Sequence, residues 1–533
     1  MRAFLTVILT LCMAVAPASA ADLVKEGDRW WGHIQVLASD AMGGRETGSA
    51  GHRAAAQFLA YEFEKAGLKP GGADMYLQPV KLKVAQIVEE ESSLAIVRAG
   101  QVTPLKLGED ATLAVRAGLA ESIEADVVFC GYGLSIPEHK FDDFAGLDLK
   151  GKIVAVLAGG PSSIPGNLRS HYSSRVERWK ALQRAGAIGL VTVQNPKNMD
   201  IPWSRATLRR LSPTMQLADA RFSGGDTQQF GATINPANAE KIFAASGHTF
   251  AEVLAIADQG KALPRFPLNI RFRATEKMKV TEVESQNVIG ILPGSDPVLK
   301  DEYVVFGAHL DHIGIGEPVA GGAAGDRIYN GAMDDGSGVA SLIEIARYAK
   351  DGNIRPKRSL LFIAVTGEEK GLLGSEYFNA VPTVPAKSMV AEINMDMYLP
   401  LFPLKYVQVM GLEESTLGAD IRAVAGKAGI GVQPDTQPDR NLFIRSDQYN
   451  FIRQGIPAIF FKFGYLPGSL EEKLAKSWLT ERYHAPSDDL FQPVDKPAAA
   501  KFNHLMLDLG LRVANAAARP RWNQNSFFKR FAP

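Results

Sequence analysis

The apolar positions of this chain change their period twice. From about residue 28 to 69 they fall at helical spacing, with Trp30, Ile34, Leu37 and Ala38 on one face. A second helix is predicted over 52–66, stopped by Gly67. The loop between them, 39–48, is rich in turn formers. From about 75 to 280 the texture becomes short strands and turns. Buried strands are predicted at 125–130, 152–158 and 187–193, with a helix over 176–184. This stretch reads as a β-rich domain inserted into a larger one. From Gln286 onward strand alternates with helix: 287–292, 303–307, 359–365, 389–393 and 456–461 are apolar runs separated mainly by helical patterns. The expected fold class is α/β, a largely parallel sheet sandwiched by helices, with an inserted β-rich domain.

Bulk composition narrows the function more than the fold. At 533 residues two or three domains are expected. Lys+Arg and Asp+Glu balance at 58 each, which argues against a nucleic-acid partner or an anionic membrane surface. Residues 1–20 have the form of a secretory signal: Arg2 at the start, an apolar core over 4–15, and Ala18-Ser19-Ala20 as a small-residue cleavage site. Cys12 as a lipid anchor is the poorer alternative, because Leu11 stands where a small residue is wanted. No other run is long enough to span a membrane. The expectation is an exported protein, periplasmic or extracellular. With the signal removed, Cys130 is the only cysteine, so no intramolecular disulfide is expected.

Five clusters in the second half carry the chemistry. They are Ala308-His309-Leu310-Asp311, Met333-Asp334-Asp335-Gly336, Gly367-Glu368-Glu369, Asn394-Met395-Asp396 and Tyr483-His484. The first, third and fourth follow apolar strand-like runs, and ligands bind beyond the carboxyl ends of strands in open α/β sheets. Singly, each has a bland reading. His309 could be structural, and Asp334 and Asp335 could only cap the helix that starts at Gly336. Glu368-Glu369 is the least bland, since adjacent carboxylates at a buried strand end repel and raise each other's pKa. Together the clusters supply two His, two Asp and one Glu. That mixed set suits zinc, with manganese or cobalt as alternatives. One carboxylate bridging a metal pair would leave an open position for water and support hydrolysis. Asp311, two residues after His309, is expected to hold the second ring nitrogen of that histidine. His312 reads as incidental.

The text GAHLDH, NGAMDDGSGVASLIEIAR, VTGEEKGLLGSEYF, INMDM, SDQYNFIRQGIPAIFF and YHAPSDD resembles the di-zinc peptidases of the M28 family, the aminopeptidase Y-like exopeptidases. The N-terminal LASDAMGGRETGSAGHRAAAQFLAYEF resembles the opening of that family's catalytic domain, and the middle region is similar to a protease-associated domain. The resemblance implies two zinc ions: His309 and Asp396 on one, Glu369 and His484 on the other, with Asp334 bridging. It implies Glu368 as the general base acting on the bridging water, and Tyr483 as a donor to the oxyanion; Asp311 would stand behind the ligands. Gln448 departs from the pattern, since many relatives carry His there. The implied organisation is a signal at 1–20, an N-terminal part of the peptidase domain at 21–110, an insert with connecting segment at 111–280, the zinc domain at 281–515 and a tail at 516–533. The expected function is an exported aminopeptidase acting on peptides. A carboxypeptidase is the first alternative, with Arg440 and Arg445 available for a terminal carboxylate. A receptor-like protein with a dead site is disfavoured because no ligand is missing, and glutaminyl cyclisation because of the Asp334-Asp335 pair and the insert.

Overall fold

The computed structural model describes residues 19–532, apart from 200, 224–226, 245, 320–324, 438, 439 and 441. The expected signal therefore lies outside the described residues except for its last two positions. There Ser19 caps the helix Ala20–Leu37, accepting from the Asp22 N–H while the Asp22 side chain answers to the Ser19 backbone.

Two sheets, each with its own buried apolar cluster, organise the chain. The centre of the larger sheet is the strand Tyr303–His309, paired in parallel with Ser359–Val365 on one side and Met389–Asn394 on the other. Ala458–Gly464 continues the parallel set beyond Met389–Asn394. Every residue of Ser359–Val365 and of Met389–Asn394 is buried, which is why these strands read as unbroken apolar runs rather than alternating ones. One edge is antiparallel: Met278–Leu292 against Ser359–Val365, then Leu77–Ile87, then Thr214–Leu217.

The helices Ala20–Leu37, Gly336–Asp351 and Lys496–Asn515 stack together over this sheet. Gly510 permits the close approach of the last one, since a Cβ there would lie 2.3 Å from the Phe306 ring. No helix among the described residues is long and apolar enough to cross a membrane.

The second sheet is eight-stranded, with Ser122–Cys130, Ile153–Leu157, Gly189–Val193 and Phe230–Ile234 running parallel through its middle. Ser93–Arg98 and Gln101–Leu105 belong to it, although they precede residue 111. Chain enters and leaves this unit through one ribbon, Leu77–Ile87 against Met278–Leu292, in register from Leu77↔Val288 to Ile87↔Met278. A third segment, Thr214–Leu217, departs from the insert and adds to the edge of the larger sheet.

The tail fastens the two units on another side. Phe528 is fully buried against Phe443 and Trp522, and the Trp522 ring N–H donates to Gly455 O at 2.8 Å. Arg530 pairs with Glu138 of the insert and donates to the Tyr172 hydroxyl. Close by, His171 of the insert meets the Tyr449 hydroxyl at 2.8 Å. Phe528→Ala should therefore destabilise the fold by about 3–5 kcal/mol, read as a lower denaturant midpoint. A loss below about 0.5 kcal/mol would mean that the tail is not an anchor.

Candidate metal centre

Each candidate side chain comes from the carboxyl end of a strand or from the loop that follows it. His309 ends its strand, and its Nδ1 lies 2.9 Å from the Asp311 backbone oxygen. A carbonyl only accepts, so Nδ1 carries a proton and Nε2 is the ring nitrogen turned toward the carboxylates. Here the expectation for Asp311 is corrected. Its carboxylate sits 3.9 Å from His309 Nδ1 and does not orient the ring; the main chain of the same residue does. The carboxylate is engaged instead with the Glu368 N–H at 3.1 Å, the Glu369 N–H at 3.3 Å and the Thr47 hydroxyl at 3.0 Å. Asp311 thus sets the turn that presents the two glutamates.

The neighbours Asp334 and Asp335 divide the work. Asp335 caps the helix Gly336–Asp351 by accepting from Gly338 N–H at 2.9 Å. Its oxygens also take the N–H of Met397 at 3.0 Å and of His309 at 3.1 Å, so one carboxylate ties three ligand-bearing segments together. A Cβ at position 338 would fall 2.5 Å from this carboxylate, so only glycine leaves room for the cap. Asp334 is turned the other way. Its Oδ1 is 3.1 Å from His309 Nε2, and that nitrogen is 3.6 Å from Asp396 Oδ1. Its Oδ2 is 3.4 Å from His484 Nε2, which is 3.2 Å from Glu369 Oε1. Ligands sharing one tetrahedral zinc at ~2.0–2.2 Å stand roughly 3.3 Å apart. The spacing around each Asp334 oxygen has that size.

The donor set fits metal ions on a further ground. Asp396 Oδ1 and Glu369 Oε1 are buried and make no hydrogen bond, an expensive state for a carboxylate oxygen unless a cation takes it. Ligand-capable atoms of His309, Asp335 and Asp396 lie within 4.8 Å of one another, as do those of His312, Asp334 and Glu369. In the first group Asp335 is spent on backbone N–H groups, and Asp334 Oδ1 stands in its place.

Electrostatics follow from the crowding. Burial pushes the Glu368 carboxyl well above its ordinary range, and the Asp396 and Glu369 charges add to this. For His309, burial works downward, but the Glu368, Asp334 and Asp396 carboxylates outweigh it and raise the ring. Burial and the Asp334 and Glu369 charges hold the Tyr483 phenol protonated. Tyr483 stacks on His484 with ring centroids 3.8 Å apart, and both face a cavity of about 120 Å³ that also reaches Glu368, Asp334 and Asp396. Phe402, Phe460 and Phe463 form its apolar wall, and Arg440 and Arg445 lie on its lining as well.

Several residues here escaped the sequence reading. Arg45 is 1% exposed and spans the carbonyls of Leu37, Leu310, Asn330 and Gly331, fastening the loops on either side of the site. Asp488 accepts from Met333 N–H at 2.9 Å and Asp334 N–H at 3.0 Å. Arg209 arrives from the insert, where 207–211 leads into the strand Thr214–Leu217, and reaches His484 Nδ1 at 3.2 Å and Glu369 Oε2 at 3.2 Å. Lys462 donates to the backbone oxygens of Asp396 and Met397. His312, expected to be incidental, is fully buried 3.0 Å from Glu369 Oε1. Gln448 is buried in the framework, accepting from Asn394 and donating to Leu442 O and Phe443 O. Between the first two clusters, Gly314–Ile315 pairs antiparallel with Ile328–Tyr329.

Residues 287–510 match Peptidase family M28. Over 154 residues the chain is 34% identical to the mouse protein "Aminopeptidase NAALADL1", a match covering 27% of this chain and 18% of that one. It is 30% identical over 122 residues to "Carboxypeptidase Q" of Xenopus laevis, covering 22% of this chain and 23% of that one. These matches span less than a quarter of the relatives' own length. Among solved structures, the aminopeptidase from Aneurinibacillus sp. strain AM-1 aligns with a TM-score of 0.55 at 19% identity, over 95% of this chain and all of that one, a likeness of fold.

Because Asp488 holds the backbone of Met333 and Asp334, Asp488→Ala should weaken zinc binding by about 10–100-fold, measured by competition with a chelating dye. An unchanged affinity would remove Asp488 from the account of the site.

Proposed function

Residues 287–510 are a peptidase family M28 domain, and from this premise we propose that the chain is an exported di-zinc aminopeptidase. The observation that carries the reading is the split of Asp334: one oxygen faces His309 and Asp396, the other His484 and Glu369. Zinc ions held by these residues would polarise the scissile carbonyl and lower the pKa of a water bound there. Glu368, on the cavity lining with Asp334 and Asp396, takes the proton of the attacking water and returns it to the leaving amine. Tyr483, kept neutral, donates its hydroxyl hydrogen to the developing oxyanion. The apolar cavity beside Tyr483 and Asp396 receives the substrate's terminal side chain. The carboxylates at its mouth attract a free α-amino group, and this favours action from the amino end.

A carboxypeptidase remains the second reading, favoured by Arg440 and Arg445 on the lining of the same cavity. Export rests on the form of residues 1–20.

The deciding experiment is mass spectrometry of an unblocked ten-residue peptide incubated with the zinc-loaded protein. A ladder shortening from the amino end is expected. Shortening from the carboxyl end would reverse the polarity and favour the arginines. Glu368→Gln should lower kcat by about 10²–10⁴-fold while zinc content is unchanged. A variant that loses its zinc instead would make Glu368 a ligand rather than a base.

A further inference from the structure

His312 follows His309 by three residues but points into the other half of the site. Its side chain is fully buried, and neither ring nitrogen makes a hydrogen bond. Its Nδ1 is 3.0 Å from Glu369 Oε1, an oxygen that itself makes no hydrogen bond, and 3.9 Å from Asp334 Oδ2. His484 Nε2 approaches the same two oxygens at 3.2 and 3.4 Å. Both histidines therefore approach the same two carboxylate oxygens. A buried imidazole without a directed hydrogen bond costs free energy that such a bond ordinarily offsets. Beside a carboxylate oxygen in the same condition, one cation would satisfy both groups at once.

The seat of the ring is shaped by Gly331, where a Cβ would come within 2.6 Å of His312 Cγ and Cδ2. Gly331 has φ +63°, and Arg45 holds its carbonyl at 2.9 Å, so the wall behind the ring is pinned.

We propose that His312 Nδ1 is a fourth protein ligand, with Asp334, Glu369 and His484, of the metal ion on the Glu369 side. This rests on the di-zinc reading given above. Its consequence is an asymmetric pair. Four protein ligands close a zinc site, whereas catalytic zinc keeps a position open. The ion on the Glu369 side would then be closed by protein, and the ion held by His309, Asp334 and Asp396 would keep the open place.

The test uses zinc binding rather than turnover. X-ray absorption of the zinc-loaded wild type should count three imidazoles shared over two ions. His312→Ala and His312→Gln should keep one tight zinc and bind the second at least 10-fold more weakly in a chelator competition, with melting curves of the zinc-free forms showing that both variants are folded. Two imidazoles over two ions in the wild type would overturn the proposal, as would two equally tight zincs in folded variants; either result leaves the di-zinc reading standing. A wild type that takes up no zinc would bring down both.

Discussion

Negative charge packed out of water is the constraint to which this architecture answers. Asp311, Asp334, Asp335, Asp396 and Asp488 are all buried, with Glu368 and Glu369 beside them. Each uncompensated charge in such a place costs several kcal/mol. The protein deals with them in two ways. Asp311, Asp335 and Asp488 are covered with main-chain N–H groups, and in being covered they fix the loops that carry everything else. Asp334, Glu369 and Asp396 are turned inward toward histidines, and there some oxygens are left without a hydrogen bond. Positive charge comes from Arg45 behind the site and from Arg209 over its edge. The framework carboxylates and the metal-facing ones are thus the same residue type put to opposite uses, separated in one case by a single peptide unit.

What could be read from the sequence follows this division. Strands buried on both faces are continuous apolar runs, so the carboxyl ends of Tyr303–His309, Ser359–Val365 and Met389–Asn394 could be located, and with them His309, Glu368 and Asp396. Choosing between Asp334 and Asp335 was beyond composition and spacing, because either carboxylate can cap a helix. That choice is made by the backbone N–H groups of His309 and Met397, which arrive from distant segments. The expectation for Asp311 failed in a similar way: the residue was right, but a local carbonyl reached His309 first.

His312 and Arg209 show a different limit. The signal for His312 was present, a second histidine just after a strand end, but its value lies in which side of Asp334 it faces. Arg209 carried no signal at all. It is brought to His484 by Thr214–Leu217, an edge strand whose pairing with Leu77–Ile87 spans more than a hundred residues of sequence. In the same manner Ser93–Arg98 and Gln101–Leu105 look like a continuation of the N-terminal region until their partners are known.

An inserted domain is usually pictured as hanging from a pair of flexible crossings, able to melt or be exchanged without disturbing its host. Here the crossings are themselves sheet. The Leu77–Ile87 and Met278–Leu292 ribbon belongs to the host's hydrogen-bond ladder, and Thr214–Leu217 returns to extend that ladder from within the insert. Unzipping the ribbon would strip an edge from the larger sheet, and losing that edge would release the insert. Two apolar cores joined in this way would be expected to unfold together, with the boundary between them drawn by topology.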